Sequence, residues 1–261
     1  MIRYLKIWKQ LATISFGTFL SNRIDTLTYF SGKLIRLGFF LVLIKAIFNH
    51  SQSLAGFNNG QILIFMLTYN LLDTLGQAFF RGVYSFYKEI RTGNFDFLLS
   101  KPVNPLFVSM NRFSDIYDFV FLIPLAVLFY YTITKFNIII SASSYFLFVL
   151  FMISSFLIIA AIHIISLSIT VRSNEGENFI WIYRESISLG RFPSEIFPSL
   201  LSMFFTFVVP VIIIVSFPAK ALLGLTSLPM LALALIYSIL FFSLSLIIWK
   251  NSLKHYSSAS S

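Results

Sequence analysis

Cysteine is absent from the 261 residues, which excludes disulfides and thiolate metal sites and leaves the redox compartment unmarked. Charge is almost as scarce. Asp, Glu, Lys and Arg together make up 11% of the chain, far less than a water-exposed surface carries. Acidic residues number only 10, against 19 Lys and Arg. No G-x-x-x-x-G-K-[ST] is present: Gly32-Lys33 lacks the upstream glycine and is followed by Leu34, so nothing cradles a nucleotide phosphate. His50, His163 and His255 are dispersed, and neither H-E-x-x-H nor G-x-S-x-G occurs. The expectation is no metal, no cofactor and no enzymatic site. The matching broken helices of inverted-repeat carriers are also missing.

What the chain has in abundance is hydrocarbon. Hydrophobic residues reach 57% and the mean hydropathy is +0.85. The apolar runs predict an all-α, polytopic membrane protein with one permease-like domain over 1–261. Its six spans fall near 26–48, 60–82, 113–134, 143–170, 198–217 and 228–249. Once these helices are built, too little chain remains for a nucleotide-hydrolysing domain. The first run starts near Leu27 with no small-residue cleavage pattern after it, so no cleavable signal peptide is expected.

The charges alternate between connections. Counted along the chain, fourteen Lys and Arg fall in segments 1–25, 81–112, 172–198 and the C-terminal tail. Three (Lys45, Lys135, Lys220) fall in the other connections, and two (Lys33, Arg36) fall inside the first span. Positive charge collects on the cytoplasmic side, so both termini are expected there, in a multi-pass protein of the plasma membrane. The net charge of +9 then suits anionic lipid headgroups rather than nucleic acid. Residues 1–22 carry a helical period: Leu5, Trp8, Leu11, Ala12, Phe16 and Phe19 against Arg3, Lys6, Lys9, Gln10 and Thr13. That pattern predicts an amphipathic helix lying in the membrane interface. A helix packed on a soluble partner is the alternative.

The connection Tyr84–Leu106 is more elaborate than topology requires. It continues the second span as a helix, breaks at Gly93-Asn94 and makes a short apolar step at Phe95, Phe97, Leu98 and Leu99. It ends at Lys101-Pro102-Val103-Asn104-Pro105, where the prolines stop any helix. A short, stiff element at the membrane surface suits another protein's groove. An interfacial loop that merely reconnects two spans is the plainer reading.

The stretch Glu89-Ile90-Arg91-Thr92-Gly93-Asn94-Phe95-Asp96-Phe97-Leu98-Leu99-Ser100-Lys101-Pro102-Val103-Asn104-Pro105 resembles the loop pattern of ABC type-2 exporter permeases, in their daunorubicin-permease-like branch. Arg191-Phe192-Pro193-Ser194-Glu195-Ile196-Phe197-Pro198 and the run from Trp249 through Tyr256-Ser257-Ser258-Ala259 agree with it, so the resemblance spans essentially the whole chain in order. It implies a membrane subunit without ATPase activity of its own. That subunit would pair with a second permease copy or a sibling permease, and bind two copies of a separate cytosolic ABC ATPase. It further implies that Glu89, Arg91, Gly93, Asp96 and Pro102 belong to the ATPase-coupling loop.

Charges within the spans carry a second expectation. Lys33 and Arg36 lie one helical turn apart, and Asp73 sits at comparable depth in the antiparallel second span. Pairing Asp73 with one of them would relieve an isolated charge in hydrocarbon. The alternative is that Lys33 snorkels to the headgroups while Arg36 faces a polar seam. His163 reads either as a proton site or as a satisfied packing histidine. Pro124 and Pro210 should kink their spans. If the spans' ionisable residues were themselves functional, the chain would instead be an ion-driven secondary transporter or channel.

Overall fold

The computed structural model describes residues 2–21, 23–173 and 175–257, without the side chains of 18–21, 23, 25 and 26. Ser258 and Ala259, which end the terminal resemblance, lie outside the described residues, as do the Phe19 side chain and residues 1 and 22. Among the described residues the chain is helical and has no strand.

Two helices open it, α1 (Ile2–Ser21) and α2 (Arg23–His50), followed by α3 (Asn59–Phe80). Three short helices, α4 (Phe86–Arg91), α5 (Asn94–Leu99) and α6 (Pro105–Asn111), build the long connection. Then come α7 (Ile116–Lys135), α8 (Ala142–Ser173), α9 (Gly176–Ile187), α10 (Ser199–Phe207), α11 (Phe217–Leu222) and α12 (Leu228–Lys254). Polar side chains define several starts. Asn58 accepts from the Gln61 amide while the Gln61 side chain accepts from the Asn58 amide, a reciprocal cap for α3. Asp115 accepts from the Tyr117 amide to begin α7, and Ser227 from the Met230 amide, with Pro229 in the first turn, to begin α12.

Among the described residues four helices are long and apolar enough to cross a membrane: Asn59–Arg91, Ile116–Lys135, Ala142–Ser173 and Leu228–Lys254. A fifth crossing arises if Ser199–Phe207 and Ile212–Leu222 count together across the 83° bend between them. Pro210 stands in that bend, where its missing N–H and fixed φ break the helix, and a π-helical turn over Ile212–Ser216 restarts it. The 28 residues of α2 are long enough for a sixth, but its charged residues keep it below the apolarity of the others. Two-thirds of the apolar window of α3 is buried and 56% of that of α8, against 22% for α7 and 17% for α12. The core therefore sits along α3 and α8, with α7 and α12 offering their apolar sides outward.

The stretch 172–198 departs from the sequence reading. Ser155 Oγ on α8 donates to the Ile214 carbonyl at 2.7 Å, the Phe151 and Phe217 rings meet at 5.9 Å, and Gly224 lies beside Ser144. Residues 212–224 thus run antiparallel to α8. Gly190 lies against Val211 and Val215, and Lys220 Nζ pairs with Glu195 Oε1 at 2.6 Å. Glu195 was expected on one side of the membrane and Lys220 on the other. A hydrocarbon layer about 30 Å thick cannot lie between them. The stretch is not a surface loop. It folds back along the bundle because Ile180, Tyr183 and Ile187, spaced at three and four residues, bury one face of α9. The three charges of α9, Glu177, Arg184 and Glu185, hid that face.

One close approach fixes the long connection to the bundle. A Cβ placed on Gly82 would stand 2.5 Å from the Ser109 carbonyl oxygen and 3.1 Å from that of Met110, so α6 lies directly on the end of α3. Backbone atoms cannot step aside as a side chain can. Gly82→Ala is expected to lower stability by about 1–3 kcal/mol, the range for overpacking. Gly38→Ala, where nothing lies within 4 Å, should leave it unchanged. Thermal unfolding of both variants in detergent micelles checks the difference.

Candidate functional site

The connection between α3 and α7 is braced on three sides. Gly93 takes φ +71°, the left-handed conformation that lets α4 end and α5 begin in a new direction. Phe95 and Leu98 turn inward, and Phe95 meets the rings of Phe86, Trp249 and Tyr256 at 5.1, 6.3 and 5.2 Å. Glu89 pairs with Arg112 at 2.6 Å, tying α4 to the residue that follows α6. Asn104 caps α6 by accepting from the Phe107 amide, with Pro105 in the first turn. From the far side, Arg3 donates to the Pro102 carbonyl at 2.6 Å and the Asn104 amide donates to the Tyr4 hydroxyl at 3.3 Å.

The α1 helix has the expected two-sidedness only in part. Ala12 and Ser15 are buried, and Trp8 stacks on Phe79, but Leu5 is exposed. Asp96 lies beside Tyr256, and burial followed by that carboxylate pushes the Tyr256 phenol up to about 12. Among the exposed residues of the loop are Phe97, at 69% exposure, Leu99 and Arg91. Arg91 lies over the Tyr87 ring at 5.5 Å. Of the five loop residues singled out in the sequence, Glu89, Gly93, Asp96 and Pro102 hold the loop's shape. Arg91 faces outward.

The intramembrane charges form a ladder along α3. Tyr69, Asp73, Gln77 and Arg81 recur every four residues and present one polar stripe toward α2 and α9. Arg81 donates to the Tyr29 hydroxyl at 2.8 Å and lies 3.8 Å from Asp115. Gln77 bridges Tyr29, Arg81 and Asp73. Lys33 pairs with Asp118, which is wholly buried, and Asp73 pairs with Arg184 of α9 at 3.7 Å. The two cations expected to compete for Asp73 thus bind elsewhere: Lys33 reaches α7, and Arg36 donates to the Tyr69 hydroxyl. Depth along two spans predicted Asp73. The actual partners come from α7 and α9, which the pairwise argument did not include. The four-residue spacing of the α3 stripe was the signal that went unread.

Thr28, Tyr29, Lys33, Arg36, Gln77, Arg81, Tyr84, Trp181 and Arg184 line a cavity of about 350 Å³ between α2, α3 and α9. Its walls carry four cations and no carboxylate, because Asp73, Asp115 and Asp118 stand behind them. His163 is packed rather than free at Nδ1, which lies 2.7 Å from the Ile159 carbonyl oxygen, with Phe80, Tyr84 and Tyr183 around the ring. No group of three or more potential metal ligands occurs among the described residues.

A bundle of apolar helices around a braced polar connection and an internal ladder of charge defines a multi-pass membrane protein. Residues 34–260 match the family described as ABC-2 family transporter protein, and the chain belongs to that family of membrane transport components. No curated protein and no solved structure matches it.

Two measurements test these contacts. Asp118→Asn leaves Lys33 without its buried counter-charge and is expected to cost about 3–5 kcal/mol, as for other broken buried pairs. Lys33→Met with Asp118→Leu should recover most of that loss in the same unfolding assay. The Glu195 carboxyl feels burial, which alone would raise it. The hydrogen bond and charge of Lys220 outweigh this and hold it below its ordinary 4.5. Its stabilising contribution is therefore complete at neutral pH and disappears as the pH falls through the folded value. The melting temperatures of the wild type and Glu195→Gln should differ at pH 7 and converge as the pH falls through the carboxyl's lowered folded value.

Proposed function

We propose that the chain is the membrane-spanning permease subunit of an ATP-binding-cassette exporter, in the daunorubicin-permease-like branch of its family. It would form the translocation path as a dimer, with a second copy or a sibling permease, and be driven by two copies of a separate cytosolic ATPase. Six crossings with both termini in the cytoplasm of the plasma membrane complete this reading. In it α2 is the first crossing, the fold-back of 172–198 together with the bent pair makes the fifth, and α1 lies along the inner interface.

The observation that carries the proposal is the braced loop with its one open face. Phe97, Leu99 and Arg91 project from α4 and α5, while Phe95, Leu98, the Glu89–Arg112 pair and the Arg3 contact hold the loop from behind. An apolar side chain flanked by a cation, and backed by packed aromatics, is what a groove on a soluble partner accepts. Force applied there has little to compress. It passes through Phe95 to Trp249 on α12 and through Phe86 toward the end of α3. Closure of the ATPase pair around ATP would move this loop and, with it, the helices that flank the path between two permease copies. Membership of the ABC-2 family supports the same division of labour.

The test is co-purification of the chain with an ATPase encoded beside it. Wild-type chain is expected to form a complex that hydrolyses ATP. Phe97→Asp and Arg91→Glu should each weaken that complex by tenfold or more, the effect of losing a contact at the centre of an interface. Transport by the lone chain in vesicles, with no ATPase present, would overturn the reading.

A further inference from the structure

The lower rungs of the charge ladder are neutralised one for one, and the upper ones are not. Asp115 faces Arg81, Asp118 holds Lys33 and Asp73 holds Arg184. Above them, Arg36 from α2 and Arg191 from the segment after α9 converge on the hydroxyl of Tyr69, at 3.4 and 3.3 Å. Neither has a carboxylate within ion-pair distance among the described residues. Glu195, the nearest acidic residue in sequence to Arg191, is taken by Lys220.

The depth of this pair is what makes it costly. Tyr69 stands ten residues into α3 and Arg36 thirteen into α2, about 15 and 20 Å along helices that run in opposite directions, so both lie near the middle of the layer. Arg191 is fixed there. Its guanidinium sits 3.9 Å from the centre of the Phe40 ring and 4.7 Å from that of Tyr69, and Gly190 before it fits against Val215. Each guanidinium carries five N–H groups, and the neutral phenol accepts one from each. Two arginines held together at mid-membrane without an anion are expensive to keep, and intramembrane charges of this kind mark functional positions. Planar guanidinium groups match the paired oxygens of phosphate and carboxylate, where a lysine would offer only a point charge.

We propose that Arg36, Arg191 and Tyr69 form an oxyanion-binding station on the translocation path, so that the exported cargo carries a phosphoryl or carboxyl group on an amphiphilic body. This rests on the permease reading and adds the chemical class of its substrate. The 350 Å³ cavity leads to the station: Arg36 lines it, together with Arg81 toward the opposite end of the stripe. The cavity's other cations are already matched by carboxylates, so its walls attract an anion without trapping it. The station is the first position where an anion finds unmatched positive charge.

The experiment uses the full chain in maltoside micelles, titrated separately with dioctanoyl phosphatidic acid, dioctanoylglycerol and inorganic phosphate. Phosphatidic acid should bind at least tenfold more tightly than the uncharged glyceride. Arg36→Gln and Arg191→Gln should each remove about tenfold of that preference, the size of a lost charge-assisted hydrogen bond. Competition by inorganic phosphate assigns a water-borne oxyanion, and failure to compete assigns one carried by a lipid tail. Both outcomes support the station. Equal binding of the two lipids, or an unchanged preference in well-folded Gln variants, overturns it. Should a Gln variant melt early, Arg36→Lys and Arg191→Lys decide: a reduced preference supports the station, and a wild-type preference overturns it. Co-purification with the ATPase is scored on the same variants. Its absence from the wild type removes the permease reading, whereas loss of oxyanion preference with that complex intact removes only the station.

Discussion

A charge placed in hydrocarbon has to be answered where it stands, because no water can reach it and no long side chain can carry it far. That constraint shapes the inner half of this molecule. The polar stripe on α3 commits Asp73, Gln77 and Arg81 to the bundle interior, and these demand partners from other elements: Tyr29 from α2, Asp115 at the start of α7 and Arg184 from α9, while Lys33 of α2 is answered by Asp118 of α7. An apolar contact can slip by a residue and lose little. An ion pair in a low-dielectric surrounding cannot, so these pairs fix the register of four helices at once. The rest of the core, mostly Phe, Ile and Leu, fills the space that the pairs define.

The long connection is governed by the same logic at the membrane surface, where geometry replaces desolvation as the constraint. Gly93 supplies a left-handed turn, Asn104 with Pro105 supplies a helix start, and Gly82 lets α6 lie on the end of α3. None of these residues is chemically active. Together they leave Phe97 in the open and everything behind it packed. The coupling role proposed for this loop needs that combination: a deformable loop would absorb the motion that it ought to pass on.

The helical class and the break at Gly93 were legible from the chain because each is a local matter of hydropathy and turn chemistry. The course of 172–198 was not. Its charges resemble those of a surface loop, and only the three- and four-residue spacing of Ile180, Tyr183 and Ile187 betrays a buried face. The pairing of Lys33 was also hidden. Depth along α2 and α3 made Asp73 a reasonable partner, but a choice among Asp73, Asp115 and Asp118 depends on how α7 is rotated, which no single-helix pattern encodes. Arg191 and Arg36 lie 155 positions apart in sequence numbering, so their meeting at Tyr69 follows only from the fold-back of the α9 segment.

The contact of Arg3 and Tyr4 with Pro102 and Asn104 has a bearing on how the protein is made. The chain separates the two halves of that contact by 99 residues, so during synthesis the N-terminus emerges long before its seat exists. At about 5–20 residues per second the wait is roughly 5–20 s, ample time for two spans to insert. The first helix therefore leaves the ribosome well before the turn that receives it has been made. Its basic residues can rest on the membrane surface until the proline turn arrives to receive them.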